Sequence, residues 1–196
     1  MTRIPVTKTP KVYVGGQFIR SESGRVFPIR KKTGPHGALL GNIPQCTRKD
    51  LRNAVEAAAK AGPDWARRTP YNRGQILYRL GEMLESRSAE MADALVISGA
   101  ATRAGAGKEV TAAVDRLIYY AGWSDKYEQV LGNTNPVAGP FFNFTVAEPM
   151  GIIGIIADDE FPLLGLLSQI APVIVSGNVC VCLASQEYPY PAIVLG

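Results

Sequence analysis

Histidine is almost missing from this chain of 196 residues: His36 is the only one. Cysteine is scarce too, with Cys46, Cys180 and Cys182. Three is an odd number, and the spacing forms no framework. A disulfide scaffold is therefore excluded, and reduced thiols in a cytoplasmic setting are expected. Uninterrupted apolar runs of about 20 residues, the length a membrane span needs, are lacking. The apolar stretch from Met150 to Ala184 is cut by Asp158, Asp159 and Glu160, and again by Gly177 and Asn178. The first ten residues are polar and broken by proline, which does not fit a secretory signal. A strong charge of one sign is lacking as well. Net charge is +4, and Lys and Arg are scattered. Their densest run, Arg30-Lys31-Lys32, stands beside Gly34 and Pro35. It reads as a solvated loop and not as a nucleic-acid footprint.

What is present is globular in kind. Hydrophobic residues make up 46% and charged residues 19%, enough for one medium domain. At the front, Val12 to Ile19 reads as two short β runs hinged on Gly15-Gly16. A further strand fits Arg25 to Ile29, and Leu39 and Leu40 suit another.

Helical spacing then takes over. Thr47 is a fitting N-cap, and Asp50 three residues on suits the positive helix start. Leu51, Val55, Ala58 and Ala59 share one apolar face, and Gly62-Pro63 is expected to end that helix. A second helix follows Pro70, with Ile76, Leu77, Leu80, Met83 and Leu84 on one face. A third runs from Ser88 to Ser98. A fourth carries Val110, Val114, Leu117, Ile118 and Ala121. Between these two, Gly99 to Lys108 reads as an interhelical loop.

From Asn133 the texture changes. Asn135-Pro136 and Gly139-Pro140 are turn signals. Phe141, Phe142, Phe144 and Val146 are strand-like. Gly151 to Ile156 is an apolar β run, Phe161 to Val175 an apolar helix, and Val179 to Leu183 a second apolar β run. Strands apolar on every residue are expected where a parallel sheet is covered on both faces. The order predicts an α/β chain: helices and small β-hairpins leading into an incomplete Rossmann-like parallel sheet. Three parts follow: 1–132, a hairpin and helical part; 133–147, a β arm; and 148–196, the start of the sheet.

Each chemical motif has a plain structural reading beside it. Gly99 to Lys108 invites a phosphate-loop reading but fails it. Thr102 stands where the first glycine belongs, and Glu109 where Ser or Thr would hold magnesium. Cys180 and Cys182 share one face of a strand, because side chains alternate. A metal there would need more ligands, so no metal site is predicted and core packing is expected. Cys46 sits before a helix start, whose dipole could lower its pKa, but no histidine is near in sequence to act as base. Asp158, Asp159 and Glu160 follow a buried strand and precede a helix, the edge where α/β sheets bind ligands. Helix capping is the structural alternative, and three negative charges would repel a pyrophosphate.

Several segments together resemble the aldehyde dehydrogenase family. They are Glu148-Pro149-Met150-Gly151-Ile152-Ile153-Gly154-Ile155-Ile156, then Phe161-Pro162-Leu163-Leu164, Ala171-Pro172 and Gly177-Asn178. Upstream, Tyr13 to Phe18 resembles the family's first hairpin. Ala54 to Ala58, with Trp65 and Arg73, resembles its first long helices. The resemblance implies a Rossmann-like cofactor domain, a catalytic domain and a β-hairpin that joins subunits, with 134–147 similar to one arm of that hairpin. It implies a small-molecule aldehyde as substrate, NAD or NADP as cofactor, and either a homo-oligomer or a partner aldehyde dehydrogenase subunit. No membrane or nucleic-acid partner is implied.

The same resemblance points to cofactor contacts at Ile155, Ile156, Ala157, Asp158, Leu183, Ser185 and Gln186. Glu160 stands at the family's oxyanion-binding Asn. A carboxylate there cannot donate unless protonated, so it would oppose a developing oxyanion. The family's Lys-Pro-x-Glu turn is replaced by Leu183-Ala184-Ser185-Gln186. Leu183 cannot hydrogen-bond, and Gln186 can do so only as a neutral group. A divergent double-domain branch has a similar Pro-Asp-Glu version. By resemblance the nucleophilic Cys and general-base Glu lie downstream of Gly196. Two readings follow: part of an NAD(P)-dependent aldehyde dehydrogenase, inactive alone, or a non-catalytic module that supports an active partner through subunit contact. A stand-alone nucleotide binder is a third.

Overall fold

The computed structural model describes residues 10–30, 37 and 39–196. The readings made on residues 1–9, on Lys31 and Lys32, on Gly34 and Pro35, and on His36 lie outside the described residues.

Two separate antiparallel hairpins open the chain. β1 (Val12–Val14) pairs with β2 (Gln17–Ile19) across the turn at Gly15 and Gly16. Both glycines have positive φ, 60° and 78°. A two-residue turn matched to strand twist needs that at both positions, and glycine adopts it without strain. β3 (Val26–Arg30) pairs with β4 (Leu39–Pro44), with a register shift between Ile29 and Arg30.

α1 runs Arg48–Ala66. Its start is the expected one. The Thr47 hydroxyl accepts the Asp50 N–H, and the Asp50 carboxylate accepts the Thr47 N–H at 2.7 Å. The helix does not end at Gly62-Pro63 as predicted. Pro63 lies inside it, and the Arg67 N–H still bonds to the Pro63 carbonyl. Proline forfeits one ladder bond, and tertiary contacts carry the last turn: the Trp65 indole donates to the Ile174 carbonyl at 2.9 Å. The predicted apolar face is also corrected. Leu51 and Val55 are exposed, whereas Ala54, Ala57, Ala58, Gly62 and Trp65 are half-buried. Small residues let α1 approach its neighbours: a Cβ built at Gly62 would sit 3.7 Å from Val179.

α2 (Pro70–Ser86), α3 (Ser88–Ser98) and α4 (Arg103–Ala121) build the core with a later helix, Leu164–Val175. Its centre holds Leu77, Leu84, Met91, Leu95, Val110, Leu117, Leu163 and Leu167. On α2, Ile76 and Met83 face outward, and Arg73, Gly74 and Gly81 are buried in their stead. The interhelical loop is shorter than predicted. Thr102 caps α4 by accepting the Gly105 N–H, so Arg103 to Lys108 are helical.

A short α5 (Tyr127–Leu131) precedes the arm. The arm is no continuous strand. It holds a single antiparallel bridge, Thr134 to Phe144, flanked by backbone bonds between Asn135 and Asn143 and between Thr145 and Asn133. Phe141, Phe142 and Phe144 stand in solvent. The last quarter of the chain then forms β5 (Ile152–Ile156), α6 (Leu164–Val175), β6 (Val179–Leu183) and α7 (Tyr190–Leu195), with β5 and β6 parallel. Coverage of this sheet stops short of its carboxyl edge. Ile155 is buried, but Ile156 is 76% and Leu183 62% exposed. α1 and α6 touch both strands, yet their carboxyl ends extend into solvent.

Candidate functional site

The register of β5 against β6 decides where the candidate residues meet. Ile155 pairs with Cys182 and Ile156 with Leu183, and the Ala157 N–H donates to the Leu183 carbonyl at 2.9 Å. Both strands therefore end level. Residues 157–160 and 184–187 leave the sheet together as two neighbouring loops at its carboxyl edge. In an open α/β sheet this is the ligand-binding edge. Ile155, Ile156, Ala157, Asp158, Leu183, Ser185 and Gln186 are all gathered there or just beneath it. Glu160 sits further along the first loop, exposed, shortly before the first turn of α6.

The acidic cluster does not cap α6. The Asp158 carboxylate accepts the N–H groups of Asp159 and Glu160, at 2.6 and 3.3 Å, which folds the loop on itself. Asp159 reaches across to the second loop. It accepts the Ser185 hydroxyl at 2.5 Å and the Glu187 N–H at 3.4 Å. Ser185 is buried, and its oxygen in turn accepts the Tyr188 N–H at 2.9 Å.

The α6 start is held by Glu109, from the second turn of α4. Its buried carboxylate accepts the N–H groups of Leu163 and Leu164 at 2.9 and 3.2 Å. These donors are orphans of the first helical turn, and a carboxylate there also meets the positive end of the helix dipole. The helix therefore begins at Leu164 and not at Phe161 as predicted. Phe161 itself has φ 52°, a left-handed conformation uncommon outside glycine. Sequence reasoning missed Asp159 as a bridge and Glu109 as a cap. Both lie far in sequence from the groups they hold, so no spacing rule marks them.

This edge does not suit a dinucleotide's pyrophosphate as its residues stand. Positions 156–160 and 183–187 contain four carboxylates, Asp158, Asp159, Glu160 and Glu187, and no Lys or Arg. The helix donors that could bind a phosphate are taken by Glu109. The Ser185 hydroxyl is committed to Asp159.

Cys46 is not an activated thiol. Burial of its sulfur, and then the negative Asp50 carboxylate, push its pKa up, although the residue as a whole is exposed. The expectation of a dipole-lowered pKa is not met: burial of the sulfur is the larger cause, and the Asp50 carboxylate at the helix start adds to it. Cys180 and Cys182 do share one strand face, with sulfurs 3.6 Å apart. Core packing is not what they do: Cys182 is exposed and Cys180 half-buried. Among the described residues, no group of three or more His, Cys, Asp or Glu could hold a metal ion. None of the described helices is long and apolar enough to cross a membrane.

Comparison with known proteins gives a consistent result. The pattern of the aldehyde dehydrogenase family matches residues 18–196. Retinal dehydrogenase 2 of Gallus gallus is 34% identical over 193 residues, covering 96% of this chain and 36% of that protein. Omega-crystallin of Enteroctopus dofleini is 29% identical over 194 residues, covering 97% and 38%. Among solved structures, the NAD+ complex of an aldehyde dehydrogenase from Bacillus cereus superposes with a TM-score of 0.89 at 24% identity, covering 96% of this chain and 38% of its own. PnpE in complex with nicotinamide adenine dinucleotide gives 0.89 at 26%, with the same coverage. The chain thus spans a little over a third of the length of the relatives it matches.

Proposed function

The chain belongs to the aldehyde dehydrogenase family, and on that footing we propose that it supplies the opening of the cofactor domain of an NAD(P)-dependent aldehyde dehydrogenase, with a cofactor edge altered against the nucleotide. The whole protein's reaction is then oxidation of an aldehyde to a carboxylic acid. The observation that carries this reading is the level ending of parallel β5 and β6, which gathers the cofactor-position residues on one edge. These residues by themselves leave aldehyde unoxidised, since neither Cys46, Cys180 nor Cys182 stands at the nucleophile position that the resemblance gives.

What this chain's residues do at that edge follows from their chemistry. Ile156 and Leu183 offer apolar surface on which a flat ring can lie. Asp158, Asp159 and Glu160 repel phosphate. Glu160 at the oxyanion position disfavours a developing negative charge. No cation stands on these two loops to hold a pyrophosphate.

Calorimetric titration with NAD and NADP tests the reading. The chain is expected to show no micromolar affinity. The double variant Leu183→Lys with Gln186→Glu, which restores the family's residues, is expected to gain measurable heat of binding. Micromolar affinity in the unaltered chain would refute the altered edge while leaving family membership intact. Turnover of an aldehyde panel by the purified chain would refute its inactivity alone.

A second reading, a non-catalytic module that supports a partner subunit, is favoured by the exposed Phe141, Phe142 and Phe144. A single monomer arm rarely presents such an aromatic patch without a partner surface. Replacing all three by Ser should remove any self-association seen by concentration-dependent size-exclusion; an unchanged elution series would set that reading aside.

A further inference from the structure

The two thiols of β6 are unexplained by any role above. Alternation along the strand puts Cys180 and Cys182 on one face, beside their partners Ile153 and Ile155. Their sulfurs lie 3.6 Å apart, and Cys182 is open to solvent. Distance decides what such a pair can hold. A disulfide needs about 2.05 Å and α-carbons within about 6.8 Å, and residues two apart on a strand already sit near that limit at about 6.6 Å. A linear two-coordinate ion would need sulfurs about 4.6 Å apart, twice the bond of about 2.3 Å that thiolate makes to a soft centre such as zinc. A bent centre with bonds of that length and a near-tetrahedral angle needs about 3.5–3.8 Å. The pair meets that third requirement. A tetrahedral metal would want further protein ligands, and the described residues offer no third one nearby.

We propose that Cys180 and Cys182 form a dithiol site for a bent thiophilic centre that needs only two protein ligands, of the organoarsenic(III) class. The step balances without an oxidant. Two S–H bonds and the arsenic–oxygen bond of an arsine oxide break, two As–S bonds form, and the two protons leave on the oxygen as water. Arsenic keeps its oxidation state. The Cys182 thiol donates to the Cys180 sulfur, which favours the Cys180 thiolate as first nucleophile. The flanking isoleucines suit an organic substituent.

Phenylarsine oxide on the fully reduced chain tests this by mass spectrometry. One adduct per chain is expected, resistant to excess 2-mercaptoethanol and stripped by 2,3-dimercaptopropanol. Chelation should make it about 100-fold or more longer-lived than a single-thiol adduct. Cys182→Ser and Cys180→Ser should each abolish the resistant adduct, and Cys46→Ser should keep it. Circular dichroism melts confirm that each variant is folded; Cys182→Ser alone, at an exposed position, is sufficient for the decision. An adduct stripped by monothiol, one that survives Cys182→Ser, or one that depends on Cys46 overturns the site.

Discussion

Asp159 and Ser185, 26 residues apart, meet at 2.5 Å between carboxylate and hydroxyl and tie the loop after β5 to the loop after β6. This bond closes the edge where the family resemblance puts a cofactor. It also commits the one hydroxyl that could have served a ligand there. Ser185→Ala should cost about 1–2 kcal/mol, the lower part of the range for a hydrogen bond to a charged group, because Ser185 is buried but the Asp159 carboxylate it meets is exposed. In a domain of this size that corresponds to a fall in Tm of roughly 2–8 °C. Thermal melts decide it, and an unchanged Tm would show that the bond carries no weight.

Glu109 is a strong anchor of the βαβ unit. It joins α4 to the start of α6 through two backbone donors. Glu109→Ala leaves the buried Leu163 donor and the half-buried Leu164 donor without an acceptor and should destabilise by about 2–3 kcal/mol. Glu109→Gln keeps a carbonyl acceptor and should recover about half. Urea unfolding of both variants gives the comparison. Equal losses would mean that packing, and not acceptance, is what the side chain provides.

Gly74 allows α2 to approach the turn after α4. A Cβ there would collide with the Ser124 hydroxyl and lie 3.0 Å from the Ala121 carbonyl oxygen. Backbone cannot move aside as a side chain can, so Gly74→Ala should cost about 2–3 kcal/mol through overpacking. At Gly81 the nearest atom is the Ile118 Cδ1, at 2.9 Å, the far end of a flexible side chain. Gly81→Ala should therefore cost about 1 kcal/mol or less, because alanine also favours the helix. Chemical denaturation that ranked the two in reverse would contradict the geometry.

Asp50 makes stability depend on acid. Burial opposes its charge, but bonds from the Glu22 and Thr47 N–H groups, the Thr47 hydroxyl and its own N–H outweigh burial and hold its pKa below the ordinary carboxylate value. A depressed native pKa gives stability that is complete above the unfolded value. It is lost as pH falls through the lower native one. Asp50→Asn should therefore flatten the stability profile below about pH 4. It should also lower the plateau near neutrality. Melts from about pH 2.5 to 7 that kept the original slope would remove Asp50 from this role.

Much of the fold is legible in the sequence because its signals are local. Thr47 and Asp50 announce a helix start within four residues. Gly15-Gly16 announces a turn within two. The apolar runs of β5 and β6 with the helix between them announce a βαβ unit, because their periods are written along the chain. Expectations fail where the signal is local but the outcome is not. Pro63 reads as a stop, yet α1 continues because Trp65 is held by Ile174, 109 residues away. Leu51 and Val55 read as a buried face, yet α1 approaches its neighbours through alanine and glycine.

The candidate site divides the same way. Residue types and spacing alone carry the family pattern, the two apolar strands, and the unusual acids and Leu183 that follow or close them. Packing settled the rest: that Asp158 folds back on its own loop, that Asp159 bridges to Ser185, and that Glu109 takes the α6 donors. A carboxylate's partner is set by which backbone groups are left unsatisfied within hydrogen-bond reach after packing. That distance exists only once the helices and strands have been brought together.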